Sequence, residues 1–151
     1  MPLAALEQIK SRIGEEVGVS SWMLVDQARV DAFADATDDR QFIHVDPDAA
    51  AQTPFGGTVA HGFLTLSLLS RMGAEAMLLP DSLKMAVNYG FDRVRFLAPV
   101  KSGSRVRGRF RLDSVEEKAP GQILLRHTVT VEIEGEDKPA LTAEWLGLMF
   151  V

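Results

Sequence analysis

Residues 63–80 read FLTLSLLSRMGAEAMLLP. Plotted at about 100° per residue, Ser67, Ser70, Arg71 and Glu75 share one narrow polar stripe, and leucines and methionines cover most of the remaining circumference. A helix of this kind needs cover on most sides. The turn-rich TPFGGTVAHG, residues 53–62, ends where it begins, so the pattern predicts a helix over residues 62–79, about 27 Å long at 1.5 Å per residue. Arg71 and Glu75 interrupt the run before it could cross a bilayer, so no membrane span is expected.

What covers that helix lies beyond Pro80, where the apolar period changes to two. LKMAVNYGFDRVRF (83–96), SRVRGRFRLD (104–113), ILLRHTVTVEIE (123–134) and ALTAEWLGLMFV (140–151) all read as strands. In the second, Val106, Gly108, Phe110 and Leu112 face one way while Arg105, Arg107, Arg109 and Arg111 face the other, the pattern of a sheet with one buried face. The arginine ladder is expected to pair with glutamates on neighbouring strands. His127 falls in phase with Leu125, Val129 and Val131, which predicts a hydrogen-bonded histidine in the core or an interface. Helices first and successive antiparallel strands afterwards define an α+β class. With 151 residues, and no repeat or linker, the chain is read as a single domain over 1–151.

Upstream of the long helix, Leu3, Leu6, Ile9 and Ile13 recur at helical spacing and Gly14 supplies a stop. Val30, Phe33, Ala34 and Thr37 predict a second helix over 27–37 with Asp26 as its N-cap. Asp46-Pro47 has the chemistry of an N-cap followed by the first helical position, opening a short helix through Ala49, Ala50 and Ala51. His44 then falls in the connection between two helices.

The sequence ATDDRQFIHVDPDAA, residues 36–50, breaks local rules. Asp31/Asp35 and Asp35/Asp39 are like-charge pairs at i, i+4, each costing a few tenths of a kcal/mol on an exposed helix, and Asp38 and Asp39 face the negative pole of the helix dipole. A solvated acidic face explains this at little cost; a functional site explains it as well. His44 adds an imidazole, a group that ordinarily titrates near about 6.5, and with a carboxylate it makes a pair suited to moving protons at neutral pH. A loop from Asp39 to His44 can bring both side chains to one point and prime a water. In AHGF, Gly62 stands in the first turn of the long helix, where free N–H groups and the positive dipole end can hold a developing oxyanion; the alternative is a simple turn and helix N-terminus.

Bulk composition narrows the classes. A net charge of −5 argues against broad nucleic-acid binding. The absence of cysteine excludes disulfides, thiolate zinc sites and cysteine nucleophiles and fits the cytoplasm. Charges throughout MPLAALEQIKSRIGEEVG leave no apolar secretion signal there. Asp39, His44 and Asp46 carry oxygen and nitrogen donors, but Asp46 is better used as a helix cap and no second histidine has ligand spacing, so no metal site is expected.

FADATDDRQFIHVDPDAAAQTPFGGTVAHGFLTLSLLS, residues 33–70, resembles the MaoC-like dehydratase family, the (R)-specific enoyl-CoA hydratases, and within it the NodN-like branch. NYGFDRVRFLAPVKSGSRV, residues 88–106, resembles that family's strand pair, so the likeness spans most of the chain. The family pattern is a small residue, glycine, aspartate, any residue, asparagine, proline, an aliphatic residue and histidine, then a segment ending in histidine-glycine. Thr37, Asp39, Ile43 and His44 match it; Asp38 stands in place of the glycine, and Gln41-Phe42 in place of asparagine-proline. The resemblance implies a hot-dog fold, a long helix wrapped by an antiparallel sheet and paired into a homodimer. It implies Asp39 and His44 as the catalytic pair, Gly62 as the oxyanion-hole residue and Ser70 as a supporting serine. It further implies an acyl-CoA or acyl-carrier thioester as substrate, with no cofactor. Arg95 and Lys101, flanking the FLAPV turn, are the expected contacts to coenzyme A phosphates.

The activity implied is reversible, (R)-specific hydration of trans-2-enoyl thioesters, an activity of fatty acid metabolism. Two alternatives stay open from the sequence: a hot-dog acyl-CoA thioesterase, and a non-catalytic acyl-CoA binding module in which Asp38 and Phe42 have spoiled the site.

Overall fold

The computed structural model describes residues 2–151. A two-residue strand, β1 (Leu3–Ala4), leads into α1 (Leu6–Ser11), shorter than the apolar spacing through Ile13 predicts. Gly14, at φ 90°, turns the chain out of it. Strands β2 (Glu16–Val19) and β3 (Met23–Val25) follow, then α2 (Gln27–Thr37), whose N-cap Asp26 accepts from the Arg29 N–H at 2.9 Å as expected. α3 (Phe42–Val45) is a single helical turn, so His44 sits on a helix rather than in a plain connection. α4 (Pro47–Ala51) starts where Asp46-Pro47 predicts, with the Asp46 carboxylate accepting from Ala49 N–H at 3.0 Å.

The central helix is built in two pieces, α5 (Gly62–Ser67) and α6 (Leu69–Ala76). Leu68 keeps helical torsions between them, and the bonds Leu68 N–H to Leu64 C=O (3.1 Å) and Met72 N–H to Leu68 C=O (3.0 Å) carry the axis through. The rod is about 22 Å long and stops at Ala76, short of the expected residue 79. Met77 is already extended at ψ 139°, and β4 (Leu79–Pro80) pairs in parallel with β1. Proline disfavours helical torsions in the residue before it, and here the segment has strand partners to take instead.

The remaining strands are β5 (Met85–Phe96), β6 (Ser104–Ala119), β7 (Gln122–Ile133) and β8 (Leu141–Phe150). With β2 and β3 they make a six-stranded antiparallel sheet in the order β2-β6-β7-β8-β5, β3 also pairing with β6. The sheet's inner face presents Phe110, Leu112, Leu125, Val129, Val131, Leu141 and Trp145 to Leu64, Leu69 and Met72 of the central helix, all buried. β2 touches the end of α6 because Gly18 has no side chain: a Cβ there would lie 2.2 Å from the Ala76 carbonyl oxygen. On the outer face the arginine ladder pairs as expected, Arg107 and Arg109 with Glu132, and Arg109 also with Glu16. Those pairs are partly or wholly exposed and contribute little to stability.

One edge of the sheet differs from the rest. β5 is a 12-residue edge strand bonded on one side to β8, and Met85, Tyr89 and Phe96 on it are each about half exposed. Long apolar edges invite another strand. No helix among the described residues is long and apolar enough to cross a membrane.

His127 is buried in the core as expected, but among the described residues no protein group pairs with either ring nitrogen. Its ring packs edge-on against Phe110. Burial, only partly opposed by the charge of Asp113, pushes its pKa down from 6.5 to about 4. The unfolded chain takes up this proton below about pH 6.5 and the folded chain does not until about pH 4, so the associated stability is fully present above pH 6.5 and is lost as pH falls through that window. Denaturant titrations at pH 7 and pH 4 are expected to show His127→Leu losing less stability on acidification than the native chain, by on the order of 3 kcal/mol. Equal losses would place the acid sensitivity elsewhere.

Candidate active site

The site is assembled from α2, the turn that ends it, α3 and the start of α5. At the first position of α2, the Gln27 side chain donates to the His44 carbonyl at 2.7 Å and to Asp31 at 2.8 Å, and accepts from the Thr58 hydroxyl. This joins α2, α3 and the segment leading to α5. At the far end, α2 closes on Asp38 in the left-handed region at φ 60°. Aspartate tolerates that conformation better than most residues and glycine better still, which accounts for Asp38 where the family pattern has glycine. Arg40 donates to Asp38 (2.9 Å) and Asp35 (3.1 Å), so the acidic cluster carries its own counter-ion. Asp39 has left the helix, and the expected Asp35/Asp39 helical repulsion does not arise.

His44 is 7% exposed, and its Nδ1 lies 2.6 Å from the Val59 carbonyl oxygen. A carbonyl only accepts, so Nδ1 carries the proton and Nε2 presents a lone pair. His61 Nε2 lies 2.9 Å from the Asp39 carbonyl oxygen and by the same logic donates to it. The two imidazoles stack at 3.8 Å with 23° between their planes, and Phe33 packs against His61 at 4.9 Å. One carboxylate oxygen of Asp39 and one ring nitrogen from each histidine lie within 4.8 Å of one another. Asp39 and His44 therefore converge, as their spacing allowed.

That cluster also gives His44 the second histidine that sequence spacing withheld, so its fitness for a metal has to be tested. A zinc–imidazole bond of about 2.0–2.1 Å lies in the ring plane. Rings stacked at 3.8 Å and nearly parallel direct their lone pairs side by side rather than toward a common point. The arrangement suits a proton-transfer pair better than a ligand set.

Gly62 follows His61 directly as the first residue of α5. Helix geometry leaves its N–H without an intrahelical partner, and the Phe96 ring rests on it: a Cβ at Gly62 would come 2.9 Å from a Phe96 ring carbon. Beside it, Ala60, Gly62, Thr65, Phe96 and Val100 line a cavity of about 260 Å³. Ser70 is not joined to Asp39 or His44 by any hydrogen bond among the described residues. It sits about 12 Å further along the helix axis and lines a second cavity of about 230 Å³ with Gly73, Met77, Val87, Asn88 and Trp145. Lys101 forms an isolated bridge with Val59, the residue that orients His44. The Arg95 side chain, on β5 next to Phe96, donates to the neighbouring Val94 carbonyl at 3.0 Å and to no other group among the described residues.

This combination of a helix wrapped by an antiparallel sheet and an aspartate–histidine pair at the helix entrance defines a class. Residues 8–134 match the MaoC like domain, and the chain belongs to the MaoC-like dehydratase family; its fold is the hot-dog fold. Nodulation protein N of Rhizobium leguminosarum bv. viciae is 54% identical over 146 residues, covering 96% of this chain and 91% of the relative. The 3-hydroxyacyl-thioester dehydratase Z of Mycobacterium tuberculosis is 47% identical over 140 residues, covering 93% and 92%. Among solved structures, the (R)-hydratase from A. caviae involved in PHA biosynthesis superposes with a TM-score of 0.70 at 28% identity, covering 87% of this chain and 95% of that one.

The sequence alone missed Gln27, Val59 and Phe96, and treated His61 as part of a turn. Each acts through a contact between residues distant in the chain. The histidine before Gly62 was the one visible signal.

Proposed function

We propose that the chain is a hydro-lyase that reversibly adds water to trans-2-enoyl thioesters, giving 3-hydroxyacyl thioesters of (R) configuration. The observation that carries this is the convergence of the Asp39 carboxylate with a His44 ring whose free nitrogen is Nε2. A water held between them loses a proton to the pair as its oxygen attacks C3. Negative charge moves to the thioester oxygen, where the Gly62 N–H stabilises it. The pair then returns a proton to C2, so that one water is added across the double bond. The His44 Nδ1–H bond to Val59 holds the tautomer that this requires. Kinship with a 3-hydroxyacyl-thioester dehydratase and an (R)-hydratase supports the substrate class and the stereochemistry.

The apolar edge strand β5 supports a homodimer in which two copies extend one sheet. In this reading Ser70 supports the site from the central helix, the second cavity that it lines takes acyl chain, and Lys101 and Arg95 are assigned to coenzyme A phosphates. A cysteine-free chain fits a cytoplasmic enzyme of fatty acid metabolism.

Crotonyl-CoA and longer enoyl-CoAs test the reaction, with thiol release followed in the same sample. Loss of enoyl absorbance without free thiol, from a species of twice 16.5 kDa, is the expected result. Free coenzyme A would instead identify a thioesterase, and binding without turnover a non-catalytic acyl-CoA module.

A further inference from the structure

We propose that His61 is the positioning residue of this site, holding Asp39 through its main chain and His44 through its ring face. The inference rests on the hydration reading above. Asp39 lies beyond the end of α2, past a left-handed Asp38, and among the described residues its carboxylate accepts only a 3.5 Å contact from the Gln41 N–H. The bond from His61 Nε2–H to the Asp39 carbonyl is the one hydrogen bond among the described residues that ties Asp39 to a distant part of the chain. The same ring stacks on His44 at 3.8 Å, and its other face is backed by Phe33 at 4.9 Å. With 2% of its surface exposed, His61 is fixed by the core and has little freedom to let either partner drift.

The position of His61 adds a third connection. It is the N-cap residue of α5, immediately before Gly62. One buried ring thus fixes the separation between the proton-handling pair and the N–H that meets the developing oxyanion. A histidine that merely filled the core would touch neighbours without regard to their chemistry, whereas His61 contacts both members of the pair and precedes the third group. The bond to Asp39 further demands the Nε2–H tautomer, which leaves Nδ1 unprotonated.

Two substitutions separate the contacts. His61→Phe keeps an aromatic face against His44 and loses the donor to Asp39; His61→Gln keeps a donor and loses the ring. In the crotonyl-CoA assay His61→Phe is expected to lose about 10- to 100-fold in kcat, the scale of a misplacement of about 1 Å, with KM and Tm close to native. His61→Gln is expected to recover part of that loss. Native kcat in His61→Phe, or equal losses in both variants that track their Tm, would leave His61 a purely structural residue and overturn the proposal. Long-range 1H–15N spectra of the native chain supply a readout without turnover. An active chain whose His61 carries its proton on Nδ1 removes the positioning role alone, whereas a native chain that hydrates no enoyl thioester removes the hydration reading together with the role built on it.

Discussion

Asp39→Asn is expected to lower kcat for enoyl-thioester hydration by at least about a hundredfold, the lower end for a general acid–base group, and to leave the fold intact. The Asp39 side chain is exposed, and surface substitutions of this kind usually change stability by less than about 0.5 kcal/mol. His44→Ala is expected to lose at least as much activity, but it is less clean. It strips the Val59 carbonyl of its donor and removes the stack against His61, costs of about 1–3 kcal/mol where a buried acceptor is left unpaired. His44→Asn keeps an amide donor near the position of Nδ1 while removing the base. It is expected to be as inactive as the alanine variant and closer to native in Tm. If the two residues act on one water as proposed, the double variant Asp39→Asn/His44→Asn should be little worse than either single. Multiplicative losses in the double variant, or near-native turnover in either single, would show that the two do not work as a pair.

What could be read from the sequence was whatever depends on near neighbours. Asp26 and Asp46 cap the helices they precede because an N-cap needs only the N–H groups of the next turn. The four long strands followed from their period of two, and Val106, Phe110 and Leu112 are buried on the face that the pattern assigned. What failed depends on partners far away in the chain. β2 and β3 are too short to show a period and exist because β6 offers them an edge. The central helix stops at Ala76 because Leu79–Pro80 finds β1. His127 was expected to be hydrogen-bonded, yet among the described residues neither ring nitrogen finds a partner: Phe110 packs against the ring, and Asp113 acts on it through charge alone.

The candidate site divides the same way. Asp39, His44 and Gly62 carry a resemblance that local sequence preserves, and the geometry brings the first two together. Val59, which fixes the His44 tautomer through its carbonyl, contributes no side-chain chemistry that a sequence could reveal. Gln27 and His61 reach the site across separations of 17 and 22 residues. Metal binding was set aside because no second histidine has ligand spacing, yet His61 arrives through space; the stacked rings, rather than the spacing, are the better ground for favouring proton chemistry.

Gly62→Pro is expected to reduce kcat by about 100- to 1,000-fold, the cost of deleting one oxyanion donor. The substitution removes the N–H and leaves the backbone path unchanged. Proline is favoured at the first position of a helix, where Gly62 stands, and His61 already holds the extended torsions, φ −58° and ψ 138°, that a residue before proline prefers. The complication is steric, since a Cβ at this position would come 2.9 Å from the Phe96 ring. Phe96 is 50% exposed and can swing aside, but its displacement reshapes the cavity that it lines. Gly62→Ala is therefore the control: it adds the same Cβ and keeps the N–H. If the amide polarises the thioester, alanine should retain most of kcat with a change confined largely to KM, and proline should lose kcat itself. Equal kcat values in the two variants would mean that crowding against Phe96, and not the lost donor, sets the rate, and the oxyanion would have to be held by another group.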